Sequence, residues 1–132
     1  MKTNYKLAFA LIAGIAIGGG AIQGLHAQGK PPAYVVIPIL KINDAAAFKT
    51  DVIDKANAAM GDLKSTGGEY IIRNTKFTSL DGTPPPERLV LIKFDSVEKA
   101  QAFWNSPAQK EVNAGRMKTT NSLAFIVEGI AN

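Results

Sequence analysis

The amino-acid sequence predicts an α+β domain of the split β-α-β kind, a four-stranded antiparallel sheet carrying two main helices on one face. Three observations predict it. Segments rich in β-branched and aromatic residues alternate with segments of helical periodicity in the order strand, helix, strand, strand, helix, strand. The middle two strands are joined directly by a proline-rich loop. The helical segments carry one apolar stripe each, enough to cover a single face of such a sheet. This βαββαβ order is the ferredoxin-like arrangement.

Ala33 to Ile42 (AYVVIPILKI) is the first strand. Val35, Ile37 and Ile39 point one way and Val36, Leu40 and Ile42 the other, so both faces require cover. Pro38 removes a ladder donor, which points to an edge or a bulge. Asn43 or Asp44 caps the first helix, in which Phe48, Val52, Ala56, Ala59, Met60 and Leu63 recur as one stripe. Gly67 and Gly68 supply its left-handed stop. Glu69 to Thr78 (EYIIRNTKFT) is the second strand, and Leu80 to Pro86 is a loop stiffened by Pro84 to Pro86. Arg88 to Phe94 (RLVLIKF) is the third strand, apolar on both faces except at Lys93. Asp95 or Ser96 caps the second helix, whose buried stripe is Val97, Ala100, Phe103 and Trp104; for Asp95 a cap is a simpler reading than a functional role. Ser106-Pro107 interrupts it, Ala108 to Lys118 adds a polar helical turn or two, and Leu123 to Val127 (LAFIV) closes the sheet.

Two helices leave one sheet face bare. The first and third strands are apolar on that face too, a larger patch than a soluble monomer normally exposes, so two sheets are expected to pack face to face in a symmetric homodimer.

Ahead of the domain, Met1 to Lys6 carries Lys2 and Lys6 without an acid, and Leu7 to Ile17 (LAFALIAGIAI) is an unbroken apolar run ended by Gly18 to Gly20. This is the pattern of a secretory signal peptide over residues 1–27, with cleavage after Ala27. The run falls short of the roughly 20 apolar residues of a membrane span. The expected product is periplasmic or secreted and free of the membrane, with residues 28–32 as a polar lead-in and one domain over residues 33–130; an uncleaved anchor is the rival.

Cleavage removes Lys2 and Lys6 from 15 basic residues and none of 11 acidic ones, leaving the mature chain at +2. No segment gathers the basic stripe that nucleic acid requires. There is no cysteine, and the one histidine, His26, leaves with the leader. Thiolate chemistry and disulfides are therefore excluded, and metal or haem sites lose their usual ligands, so no metal and no cofactor are expected. Catalysis, if there is any, falls to carboxylates, Lys, Tyr, Arg or backbone.

The candidate ligand-binding residues are Tyr70, Arg73, Arg88, Lys93, Trp104 and Arg116. Arg73 and Arg88 stand on the two strands joined by the proline loop and suit bidentate capture of a carboxylate; the plainer reading is a salt bridge to Glu69, Glu87 or a partner chain. Arg116 carries the same two readings. Tyr70 and Trp104 suit the wall of an apolar cavity, although Trp104 also fits the core stripe of its own helix. Lys93, buried, would be a base of depressed pKa; at a strand end it can instead reach water.

The chain resembles a bacterial family known as domain of unknown function 1330, within the dimeric α+β barrel superfamily. The resemblance runs from about Ala33 to Gly129. It is carried by Ala33-Tyr34-Val35, by Gly67-Gly68-Glu69-Tyr70-Ile71-Ile72-Arg73, by Pro86-Glu87-Arg88, by Phe94-Asp95-Ser96 with Ala100, Phe103-Trp104 and Ser106, by the basic Arg116, and by Val127-Glu128-Gly129. The sequence departs from the family at Glu69 and Lys93, each reversed in charge, at Asp95 in place of proline, and at Ala108-Gln109 in place of Glu-Tyr. The resemblance implies the fold and the dimer, and no activity. Superfamily relatives include cofactor-free monooxygenases, small-ring isomerases and haem enzymes, the last poorly matched to a mature chain without histidine.

Two function classes follow. The first is a non-enzymatic module binding a small apolar or weakly anionic molecule in a pocket rimmed by Tyr70, Arg73, Arg88, Trp104 and Arg116. The second is a cofactor-free enzyme, a monooxygenase or isomerase acting on a small conjugated substrate, with arginine holding an enolate and Lys93, Tyr70 or a carboxylate moving the proton.

Overall fold

In the computed structural model, which describes residues 30–131, the alternation of the first strand is strict. Ala33, Val35, Ile37 and Ile39 of β1 (Ala33–Ile42) are buried, and the residues between them are half-buried or exposed. The expected signal peptide, its cleavage point after Ala27 and the start of the lead-in lie outside the described residues.

β1 is followed by three short helical segments, α1 (Ala45–Phe48), α2 (Asp54–Ala58) and α3 (Met60–Ser65), with a π-helical turn at Lys49–Ile53 between the first two. Asp44 is the cap: its carboxylate accepts the Ala47 N–H at 3.0 Å. The run ends as expected. Gly67 sits at φ 79°, and the N–H groups of Gly67 and Gly68 return to the carbonyls of Lys64 and Leu63.

β2 (Glu69–Asn74) is four residues shorter than expected at its far end, because the Asn74 side chain accepts the N–H groups of Thr75 and Lys76 and draws the backbone out of the ladder. After the loop come β3 (Arg88–Phe94), α4 (Val97–Trp104) and α5 (Pro107–Thr119). Ser96 caps α4 by accepting the Lys99 N–H. Asp95 is therefore not the cap; its carboxylate lies 3.5 Å from Lys99 Nζ on the exposed surface. Ser106 caps α5 in the same way, with Pro107 in the first turn, where its missing N–H is harmless. The polar segment expected to give a turn or two is thus a helix of 13 residues.

The sheet order is β2-β3-β1, and β4 (Thr120–Ser122) and β5 (Phe125–Glu128) both pair with the far side of β1. Every pairing is antiparallel. Pro38 is not at an edge: it lies mid-sheet, next to the register shift between Ile39 and Lys41. Its carbonyl accepts the Leu123 N–H at 3.0 Å, and it has no N–H to return. The closing strand breaks at Leu123-Ala124 opposite this gap and the register shifts between Ile39 and Lys41, so four expected strands are counted as five. The core lies between the helices and one sheet face, with Phe94, Ile39, Ile92 and Val35 fully buried. Each such side chain contributes about 1.5–3 kcal/mol.

The opposite face carries Tyr34 and Val36 of β1, Ile72 of β2, Leu89 and Leu91 of β3, and Phe125 and Val127 of β5, as their pairing positions require. Phe125 and Val127 are 48% and 46% exposed. Among the described residues no helix is long and apolar enough to cross a membrane.

Candidate functional site

A strand of regular period 2 would send Tyr70 and Arg73, three residues apart, to opposite faces. The register of β2 against β3 instead shifts between Tyr70 and Ile72, so that Tyr70 pairs with Ile92 and Arg73 with Val90. The extra residue, Ile71, is a bulge that turns both side chains toward the helices. The Arg73 guanidinium consequently stacks 4.6 Å from the centre of the Tyr70 ring, and its Nη2 donates to Asn57 Oδ1 of α2 at 2.6 Å. Arg88 opens β3 opposite Ile39 on the same face and lies 6.0 Å from the centre of the Phe48 ring.

From the helical side, the π turn places the consecutive residues Val52 and Ile53 together against this space, alongside Phe48 and Ala56. α5 brings Gln109, Val112 and Arg116, which share one stripe at i, i+3 and i+7. α5 can reach the π turn because residue 115 is glycine: a Cβ there would collide with the Asp51 carbonyl.

The result is a cavity of about 50 Å³ between sheet and helices, with Tyr70, Arg73, Arg88, Gln109 and Arg116 set into apolar walls. That is room for one or two waters or a small anionic headgroup. Four of the residues singled out from the sequence therefore meet. Trp104 does not line the cavity. It packs half-buried against the core and stands 5.7 Å from the Arg116 guanidinium, on that residue's other side. Lys93 is the clear correction: it pairs with Tyr34 and Glu69 on the outer sheet face, one position out of phase with Ile92, and cannot serve this cavity.

The expected ion pairs to Glu69 and Glu87 within the chain do not form either. Among the described residues no salt bridge involves an arginine. Glu87 instead accepts the Ile42 N–H at 2.9 Å, and Glu69 lies on the outer face opposite Lys93. Arg116 is 7% exposed; its Nη1 donates to Ser122 Oγ at 2.6 Å and its Nε has no partner. Burial lowers its pKa from the usual arginine value. Arg88 is lowered as well, by burial first and then by the like charge of Arg73, with Tyr70 acting in the opposite direction. The Tyr70 phenol is raised, because burial outweighs the pull of Arg73 and Arg88 toward ionisation. A buried cation without a carboxylate partner among the described residues, as Arg116 is, is costly, and an anion beside it would relieve the cost. Among the described residues no cluster of three or more His, Cys, Asp or Glu side chains is placed to hold a metal ion.

Gln109, Asn57 and Ser122 were not singled out from the sequence. The Gln109 to Arg116 stripe was legible at helical spacing; the contacts of Asn57 and Ser122 join residues that no local pattern connects.

These features define a class: a ferredoxin-like α+β domain with a small, part-open, arginine-rich cavity between sheet and helices. The family model of the domain of unknown function DUF1330 matches residues 32–130, and the chain belongs to that family. None of the curated proteins matches it. Similar solved structures include a protein of unknown function from Rhodopseudomonas palustris, at 10% identity over 86% of this chain and 95% of that one, with a TM-score of 0.59. A Caulobacter crescentus protein described provisionally as an antibiotic biosynthesis monooxygenase shares 15% identity over 82% and 98% of the two chains, TM-score 0.54. A hypothetical protein from Arabidopsis thaliana shares 15% identity over 78% and 91%, TM-score 0.53. At these identities the likeness is one of fold.

Proposed function

We propose that this chain is an exported, homodimeric binding domain for a small organic acid. One observation carries the ligand class: Arg73, Arg88 and Arg116 converge on one cavity with no carboxylate among the described residues to neutralise them. A carboxylate accepts bidentate hydrogen bonds from guanidinium, and the apolar walls lower the local polarity and so strengthen them. The dimer is supported by the apolar outer face, which pairing against a second copy would cover. Export is supported by the charge and apolar pattern of residues 1–27.

Calorimetry and thermal shift with acetate, propionate and the neutral isostere acetamide test the ligand class. The acids should bind and raise the melting temperature, acetamide should not, and Arg73→Ala and Arg88→Ala should each weaken the acids. Equal response to acid and amide would refute it. Light scattering at micromolar concentration tests the dimer, and a monomeric mass would sink it. Expression in a bacterial host followed by N-terminal sequencing of the exported fraction tests the leader; a chain retained inside the cell with residue 1 intact would count against export.

A second reading, a cofactor-free enzyme on a small conjugated acid, is favoured by Tyr70. Its phenol lies in the same cavity beside Arg73 and Arg88, where a proton donor and a charge clamp could act on one substrate.

A further inference from the structure

Arg116 borders a second space. On its far side, an open groove of about 480 Å³ runs between the end of α4 and residues 120–124, walled by Trp104, Met117 and Leu123. A hollow of about 190 Å³ continues it along Phe125 and Ile126, with Trp104 and Ala124 common to both. The groove is open and mixed: the polar Thr120, Asn121 and Ser122 stand beside these apolar residues and Arg116, and Met117 is 74% and Leu123 54% exposed.

We infer that the ligand is a flat apolar monocarboxylate, such as an aryl acid, held in two parts: the carboxylate on Arg116, at the wall the two spaces share, and the apolar body in the groove against Trp104. This rests on reading the cavity as an organic-acid site, and it adds the shape of the acid. The volumes carry the division. The cavity of about 50 Å³ has no room for a ring, so the body lies on the groove side of Arg116, in the open space of about 480 Å³. The charge carries the orientation. Arg116 is buried, its Nε is unpartnered, and its guanidinium already lies against the indole, so a ring attached to the bound carboxylate would lie beside that same surface.

Trp104 is the single tryptophan of the sequence, so the emission comes from one indole, on the wall of the groove. The protein is titrated with acetate, benzoate and neutral benzamide, read by calorimetry and by Trp104 emission. Benzoate should bind about tenfold or more tighter than acetate from the added apolar burial and should shift the emission saturably; benzamide should do neither. Ala124→Phe, which fills the groove, should bring the two acids to within about twofold of each other. Met117→Glu, on an exposed side chain, should weaken benzoate more than acetate by placing a like charge beside the aryl acid. Equal binding of the two acids with Trp104 emission unmoved overturns the two-part ligand and leaves the organic-acid site standing. Binding of neither acid overturns both. An emission change that follows protein concentration instead of benzoate means that a second copy covers the groove, and also overturns the inference.

Discussion

Arg116 should stabilise a ligand complex at the expense of the free protein, and Arg116→Met separates the two. The side chain forms one charge-assisted hydrogen bond, to Ser122, worth about 1.5–3 kcal/mol. Its contact with Trp104 at 5.7 Å adds about 0.5–1 kcal/mol. Against these stands the desolvation of a guanidinium that is 7% exposed and has no carboxylate beside it, an effective penalty of several kcal/mol. Methionine removes the charge and keeps much of the volume. It leaves no new orphan, because Ser122 Oγ remains bonded to the Thr120 hydroxyl at 2.9 Å, and its thioether packs well on an indole. The variant is therefore expected to be more stable than the parent by about 1 kcal/mol, a rise of roughly 4–8 °C in melting temperature for a domain of this size. Its affinity for acetate should meanwhile fall about 10- to 100-fold, the loss of a charged hydrogen bond. Urea and thermal unfolding followed by circular dichroism give the first quantity, and calorimetry gives the second. A variant destabilised by about 2 kcal/mol or more would refute the reasoning, for Arg116 would then be a compensated structural cation.

Three further outcomes are expected. Gly115→Ala drives a methyl group into the Asp51 carbonyl and should cost about 1–3 kcal/mol in urea unfolding, with a parallel loss of acid binding, since the same close approach seats Arg116. The raised phenol of Tyr70 makes stability pH-dependent: its contribution is whole below the unfolded value of 10.0 and is lost as the pH rises through the higher folded value, so Tyr70→Phe should flatten the alkaline limb of the stability profile. Lys93→Ala, on the outer face opposite Tyr34 and Glu69, should leave acetate affinity within about twofold while changing dimer dissociation measured by analytical ultracentrifugation.

The order and type of the elements were legible because each rests on local chemistry. Strand alternation from Val35 to Ile39, the stripe from Phe48 to Leu63 and the glycine pair at its end each act within a few residues. Where two neighbours competed for one role, the sequence could not choose: Asp95 and Ser96 can both cap a helix, and the direction of the chain on leaving β3 gave the bond to Ser96. The length of β2 was overread for a similar reason, since β propensity continues through Thr78 and a single Asn74 side chain ends the strand.

By itself the sequence determined the ferredoxin-like order, the apolar surplus on the second sheet face, membership of the DUF1330 family and the lack of cysteine and histidine over residues 33–130. Tertiary structure alone decided what the charged residues do. The bulge at Ile71 brings Tyr70 and Arg73 onto one face, whereas Lys93, one position out of phase in an unbulged strand, is sent to the other. Side chains alternate at every residue of a strand, so one inserted residue reverses the facing of everything beyond it. That insertion is set by pairing with a distant strand, and local sequence does not encode it.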